Sequence, residues 1–120
     1  MSLQRFAEAV GRDERMDLAE ACLMIAQDTY PSLQVEHYLG EIERLALRLR
    51  ARTPQAAAAE ERIVALNELL FDDLGYRGNA HEYYDPRNSY LNEVIERRTG
   101  IPITLSVLYM ELGRRVGLPL

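Results

Sequence analysis

The densest run of hydrogen-bonding groups in this sequence is Asp85, Arg87, Asn88, Ser89 and Asn92, interleaved with Tyr83, Tyr84 and Tyr90. Groups of these types can close on one another, with Asn88 or Ser89 capping the next helix and Arg87 pairing with a nearby acid. They can equally form a binding surface where a loop meets a helix. Asx and Ser residues are commonplace at helix starts, so the chemistry alone favours the internal network. Asp72, Asp73, His81, Glu82 and Asp85 hold hard-cation donors in the same neighbourhood, but without the alternating spacing of a calcium loop, and no metal is assigned to them. Cys22 falls within an apolar stripe with nothing cationic beside it, the setting of a structural rather than a reactive thiol. His37 and His81 are far apart in sequence, and His37 has only Glu41 at helical spacing, which reads as a surface histidine.

Helices must position these groups, because no segment alternates with period two. Ser2 can cap a short helix to about Val10, closed by Gly11. A second runs from about Asp17 to Thr29, with Leu18, Ala21, Cys22 and Ile25 as its apolar stripe. The third, with Ser32 as N-cap, has one continuous face of Val35, Tyr38, Leu39, Ile42, Leu45, Ala46 and Leu49. Arg44, Arg48, Arg50 and Arg52 crowd its end, where they complement the helix dipole on a solvated face. Thr53-Pro54 predicts a fourth helix beginning in the alanine-rich run, buried through Ile63, Leu66, Leu70 and Leu74 and ended by Gly75. After the irregular stretch 75–87 come a fifth helix from about Ser89 to Arg98, closed by Gly100, and a sixth from Pro102 to Gly117.

A net charge of −5 argues against general nucleic-acid affinity, and all 14 basic residues are Arg. The 120 residues suffice for one domain with a real core, and 48% apolar residues exclude the disordered class. One cysteine permits no internal disulfide, and no apolar run approaches the roughly 20 residues needed to span a bilayer. Met1 to Val10 lacks the apolar core of a signal peptide, so a cytoplasmic location is expected.

The stretch YYDPRNSYLNEVIERRTGIPITLS, continuing to Leu120, resembles the signature of SirB-type proteins, a branch of the transglutaminase-like superfamily. The resemblance implies a papain/transglutaminase-like α+β fold, whose active members use a cysteine at the N-terminus of a core helix with histidine and aspartate from a following sheet. Arg114, Gly117 and Pro119 match the motif that closes that helix, and the same register puts Pro102 at the nucleophile position. Thr104 and Ser106, on the next turn, are weak substitutes without a visible base. The superfamily's histidine and aspartate would come from strands after Leu120, so the expected architecture is all-α, about six helices, the helical part of the fold with its sheet missing. Residues 75–120 then form the signature with core helix 102–117, preceded by a variable helical region, 1–74.

The resulting expectation is a non-enzymatic protein-interaction or regulatory module, a degenerate transglutaminase-like domain. Its binding residues would be Tyr83, Tyr84, Asp85, Arg87, Asn88, Ser89 and Asn92, together with the start of the core helix. A protein partner is expected, covering the apolar face of the core helix; self-association is compatible with this, and neither cofactor, nucleic acid nor membrane is invoked. The alternative is a hydrolase or transferase that uses Ser106 or Thr104 with a histidine and aspartate lying beyond this chain.

Overall fold

The computed structural model describes residues 17–118. They form five α-helices: α1 (Leu18–Ala26), α2 (Val35–Arg52), α3 (Ala59–Asn67), α4 (Leu91–Arg97) and α5 (Pro102–Arg115). A π-helical turn (Glu68–Asp73) extends α3, a 3-10 turn (Pro86–Ser89) precedes α4, and β1 (Arg77–Gly78) pairs in parallel with β2 (Thr99–Gly100). The fold is predominantly α, as expected. The helix expected over Ser2–Val10 lies outside the described residues.

α5 is the hub, packing against each of the other four helices. Its Leu108 and Leu112 are buried in one cluster with Leu23, Ile42, Leu49, Leu66, Leu69, Leu91 and Val94. Glu111, only 3% exposed, is carried into that hub and held there by Arg114 at 2.7 Å and by Arg115. Arg115 also reaches Glu43 on α2 and, at 3.6 Å, Asp17 before α1. A buried carboxylate persists only when paired in this way. Beyond α5, Gly117 turns the chain at φ +85°, a left-handed conformation that suits glycine.

Several local expectations shift. Asp17 caps α1 through its Oδ1, which accepts from Glu20 N at 3.0 Å. The buried face of α1 is Ala19, Leu23 and Ala26 with Ala21 and Met24, so the stripe of Leu18, Ala21, Cys22 and Ile25 is offset: Ile25 is 45% exposed. Cys22 is half-buried, and burial, followed by the charges of Glu111 and Asp17, pushes its thiol pKa up, which disfavours the thiolate. The face expected for α2 is present, with Val35, Ile42, Ala46 and Leu49 buried and Tyr38, Leu39 and Leu45 packed against them. Its N-cap is Gln34 rather than Ser32.

The alanine-rich run is not helical until Ala59. Thr53 instead ends α2, its hydroxyl donating to Leu49 O at 3.3 Å. Arg62 then clamps the connection by donating to Gln55 O and Ala57 O at 3.0 and 3.2 Å. Alanine's helix propensity amounts to tenths of a kcal/mol per residue, less than such a set of bonds. The π turn buries Leu69 and Leu70 together, and Gly75, at φ +73°, ends it.

α4 begins at Leu91, two residues later than expected, because Asn88 and Ser89 belong to the preceding 3-10 turn. Arg98, not Gly100, closes it, in the left-handed region at φ 56°. Gly100 is required for a different reason: a Cβ there would stand 2.7 Å from Thr104 Oγ1 and 3.0 Å from Val94. This close approach lets β2 lie against both α4 and α5.

Candidate functional site

The loop between β1 and α4 is braced from within. Asn79 Oδ1 accepts from Glu82 N at 3.0 Å, and Asn79 Nδ2 donates to Asn88 Oδ1 at 3.2 Å. Asn88 is fully buried and donates through Nδ2 to Glu82 O and Tyr83 O at 2.9 and 3.2 Å. Every side-chain polar atom of Asn88 is therefore in use, so it is a brace rather than a contact residue. Its backbone carbonyl accepts from Thr104 Oγ1 at 2.8 Å, which fastens the loop to the first turn of α5.

Asp85 starts the 3-10 turn, its Oδ1 accepting from Arg87 N at 3.0 Å. The Arg87 guanidinium returns to the same carboxylate, with Nε at 3.1 Å from both oxygens and Nη2 at 2.6 Å from Oδ2. Arg97 approaches Oδ2 at 3.7 Å from α4. The hydrogen bonds from Arg87, assisted by the charges of Arg87 and Arg97, hold the Asp85 carboxyl well below the usual carboxylate range.

Outside this frame stand the tyrosines. Tyr84 is 92% exposed, and Tyr83, packed edge-on against it at 5.3 Å, is 58% exposed. Ser89 is exposed nearby, whereas Asn92 is buried on α4. The expected seven residues thus separate into Tyr83, Tyr84, Arg87 and Ser89, which face outward at least in part, and Asp85, Asn88 and Asn92, which are largely covered. Asn79 and Arg97 belong to the same frame and were not anticipated. Arg97 follows Asp85 by a whole turn-and-helix interval, and nothing local in the sequence signals that pairing.

At the start of α5, Pro102 is the first helical residue, where its missing N–H costs nothing. Thr104 is buried; its Oγ1 accepts from Ile101 N at 3.2 Å while donating to Asn88 O. That hydroxyl caps the helix and latches the loop, and it is not free for attack on a substrate. Ser106 is exposed on the next turn, and Ile103, just before Thr104, is 72% exposed. His37 stands on α2, 4.0 Å from Glu41 and edge-on to Tyr38, and His81 is exposed in the loop.

Among the described residues no three His, Cys, Asp or Glu side chains gather as a metal site. Asp73 is paired with Arg52 at 2.5 Å and Asp85 with Arg87, so the acids near the loop are divided between separate arginines. No described helix is long and apolar enough to cross a membrane.

A UPF0162 protein of Xylella fastidiosa is 44% identical over 108 residues, covering 90% of this chain and 38% of the relative. A UPF0162 protein of Vibrio cholerae is 30% identical over 107 residues, covering 89% of the chain and 40% of the relative. The chain thus spans about two fifths of the length of these bacterial relatives. F-box only protein 21 of Homo sapiens is 46% identical over 56 residues, which is 47% of this chain and 9% of that protein. No solved structure matches the chain. The family model described as the transglutaminase-like superfamily matches residues 36–120, from α2 through the loop to α5, and the chain belongs to that superfamily.

Proposed function

We propose that the chain is a non-enzymatic protein-interaction or regulatory module, a degenerate transglutaminase-like domain of the SirB type. The observation that carries this reading is the outward pair Tyr83 and Tyr84 on a loop whose own polar groups are bonded internally. Exposed aromatic rings on a pre-ordered backbone are the side chains that anchor protein interfaces, because little conformational entropy remains to be lost on docking. Ile103, in the turn of α5 to which the loop is fastened, is a further exposed apolar side chain.

Two further points support it. By resemblance Pro102 takes the place of the superfamily's nucleophilic cysteine, and proline offers no nucleophile. Of the two hydroxyls nearby, Thr104 is committed to the cap and latch. Ser106 is exposed and leaves a hydrolase or transferase as the competing reading, with histidine and aspartate supplied from outside this chain.

The test is a paired assay on wild type, Tyr84→Ala and Ser106→Ala. Affinity capture from source cells should yield a protein that Tyr84→Ala loses and Ser106→Ala retains. Ester hydrolysis or acyl transfer abolished by Ser106→Ala, with capture unaffected by Tyr84→Ala, would establish the enzyme instead.

A further inference from the structure

A cavity of about 490 Å³ opens between β1, the first residues of the loop that follows it, and the C-terminal end of α4. Arg77, Asn79, His81, Glu82, Arg97 and Thr99 are among the residues that line it. Arg97 is the anomaly. Its side chain is only 25% exposed, yet none of its guanidinium nitrogens hydrogen-bonds to a described group. Its ion-pair partner, Asp85 Oδ2, stands at 3.7 Å, beyond hydrogen-bonding range, and already accepts from Arg87 Nη2 at 2.6 Å. A guanidinium carries five N–H donors, and donors withdrawn from water are nearly always placed on acceptors. Nη1 is sealed off and out of a ligand's reach. Nε and Nη2 are neither sealed nor bonded, so they are the nitrogens through which Arg97 can meet an occupant of the cavity.

Arg77 supplies a second cation independently. It is exposed on β1, and its side chain makes no ion pair or hydrogen bond among the described residues. The parallel pairing sets it beside Thr99, two residues beyond Arg97, so both arginines border the same space. Ala80 and His81 complete the wall, and their N–H groups donate to no described group. Glu82 is the acid in this lining, with Arg87 at 4.0 Å from it. Three arginines, Arg77, Arg87 and Arg97, are thus set against two acids, Asp85 and Glu82, a surplus of one positive charge. Such a surplus suits a monoanionic carboxylate better than a phosphate dianion, and the fork of a guanidinium matches the two carboxylate oxygens.

We propose that this cavity binds a carboxylate, held between Arg77 and the Nε and Nη2 donors of Arg97. The carboxylate is either an acidic side chain of a protein partner, in which case this inference rests on the interaction reading, or a free organic acid, in which case it does not.

Titration of the intact protein at low salt provides the test, followed by NMR of the backbone amides and the arginine Nε–H groups. The probes are butyrate, a blocked tripeptide centred on Glu, and inorganic phosphate. Saturable shifts at Arg77, Ala80, His81 and the Arg97 Nε–H are expected with both carboxylates. Arg97→Gln should weaken their binding about tenfold, and Arg77→Gln about threefold. Because Arg77 is exposed and its side chain holds nothing in place, Arg77→Gln tests the site even where Arg97→Gln disturbs the fold. Arg48→Gln, an equal loss of charge on α2 outside the cavity, should leave the affinity unchanged. Tighter binding of the peptide than of butyrate would assign the site to a partner's side chain, and equal or weaker binding to a free acid. The proposal is overturned by the absence of saturable shifts with both carboxylates, by shifts indifferent to both variants, or by phosphate binding more tightly than either. Tyr84→Ala should leave these shifts intact even where it abolishes partner capture, so the tyrosines and the cavity fail separately.

Discussion

Glu111 with Arg115 and Asp85 with Arg87 are chemically the same pair, a carboxylate held by a guanidinium, yet they lie in opposite settings. Glu111 is inside the helical hub, and Arg115 extends the link to Glu43 on α2 and Asp17 before α1. Asp85 and Arg87 are two residues apart, and the Arg87 side chain is half exposed. Through Arg115 the first pair ties α5 to distant parts of the chain, so the fold depends on it. The second shapes a single turn and leaves the tyrosines beside it facing outward. Residue type does not distinguish these roles; burial and the reach of the arginine to other elements do.

The comparison can be broken most sharply at Glu111. Glu111→Ala leaves Arg115 partly buried with only its outer partners, and should cost about 3 kcal/mol by denaturant unfolding. Asn88→Ala comes next, at about 2 kcal/mol, because Glu82 O and Tyr83 O lose their donor. That variant should also become cleavable by protease within the 79–89 loop while the helices persist, which the Glu111 variant should not show selectively.

A smaller effect is expected with acid. The folded-state pKa of Asp85 lies below its unfolded value, so its contribution is complete above about pH 4 and is lost as pH falls further, through the folded value. Asp85→Asn should lack that contribution at neutral pH and show a flatter acid limb. A carboxyl carbon titration by NMR locates the transition, and a midpoint in the ordinary Asp range would contradict the pairing. Smallest of all is Tyr84→Ala: a side chain that is almost wholly exposed should change stability by less than about 0.5 kcal/mol while removing the proposed contact.

Much of the helical plan was legible from periodicity. The buried face of α2 and the limits of α5 follow from apolar spacing, from Pro102 and from Gly117, because these signals are local. The start of α3 was not legible. Thr53-Pro54 and the alanines point to an early helix, and Arg62 overrides them through bonds to Gln55 O and Ala57 O that only the folded chain reveals. The loop was recognisable as a polar cluster, but its division into brace and display was not. Asn88 reads locally as a helix cap, whereas its role depends on Asn79 and Thr104. The tie between α2 and α4 was less legible still. Tyr38 falls on the apolar stripe of α2 and reads as core, while its hydroxyl reaches Glu96 on a helix 58 positions away.

The π-helical turn has a consequence for the evolution of this fold. Its i to i+5 ring holds one residue more than an α-helical turn, and it closes with Leu74 N on Leu69 O at 3.0 Å. A single deletion between Glu68 and Asp73 would let α3 continue as a regular helix, but with everything beyond it rotated by about 100°. Tyr76, whose hydroxyl donates to Ile95 O at 3.0 Å, would lose that anchor, and β1 would leave its register with β2. Lineages carrying this domain should therefore tolerate substitutions across Glu68–Asp73 far more readily than a change in its length.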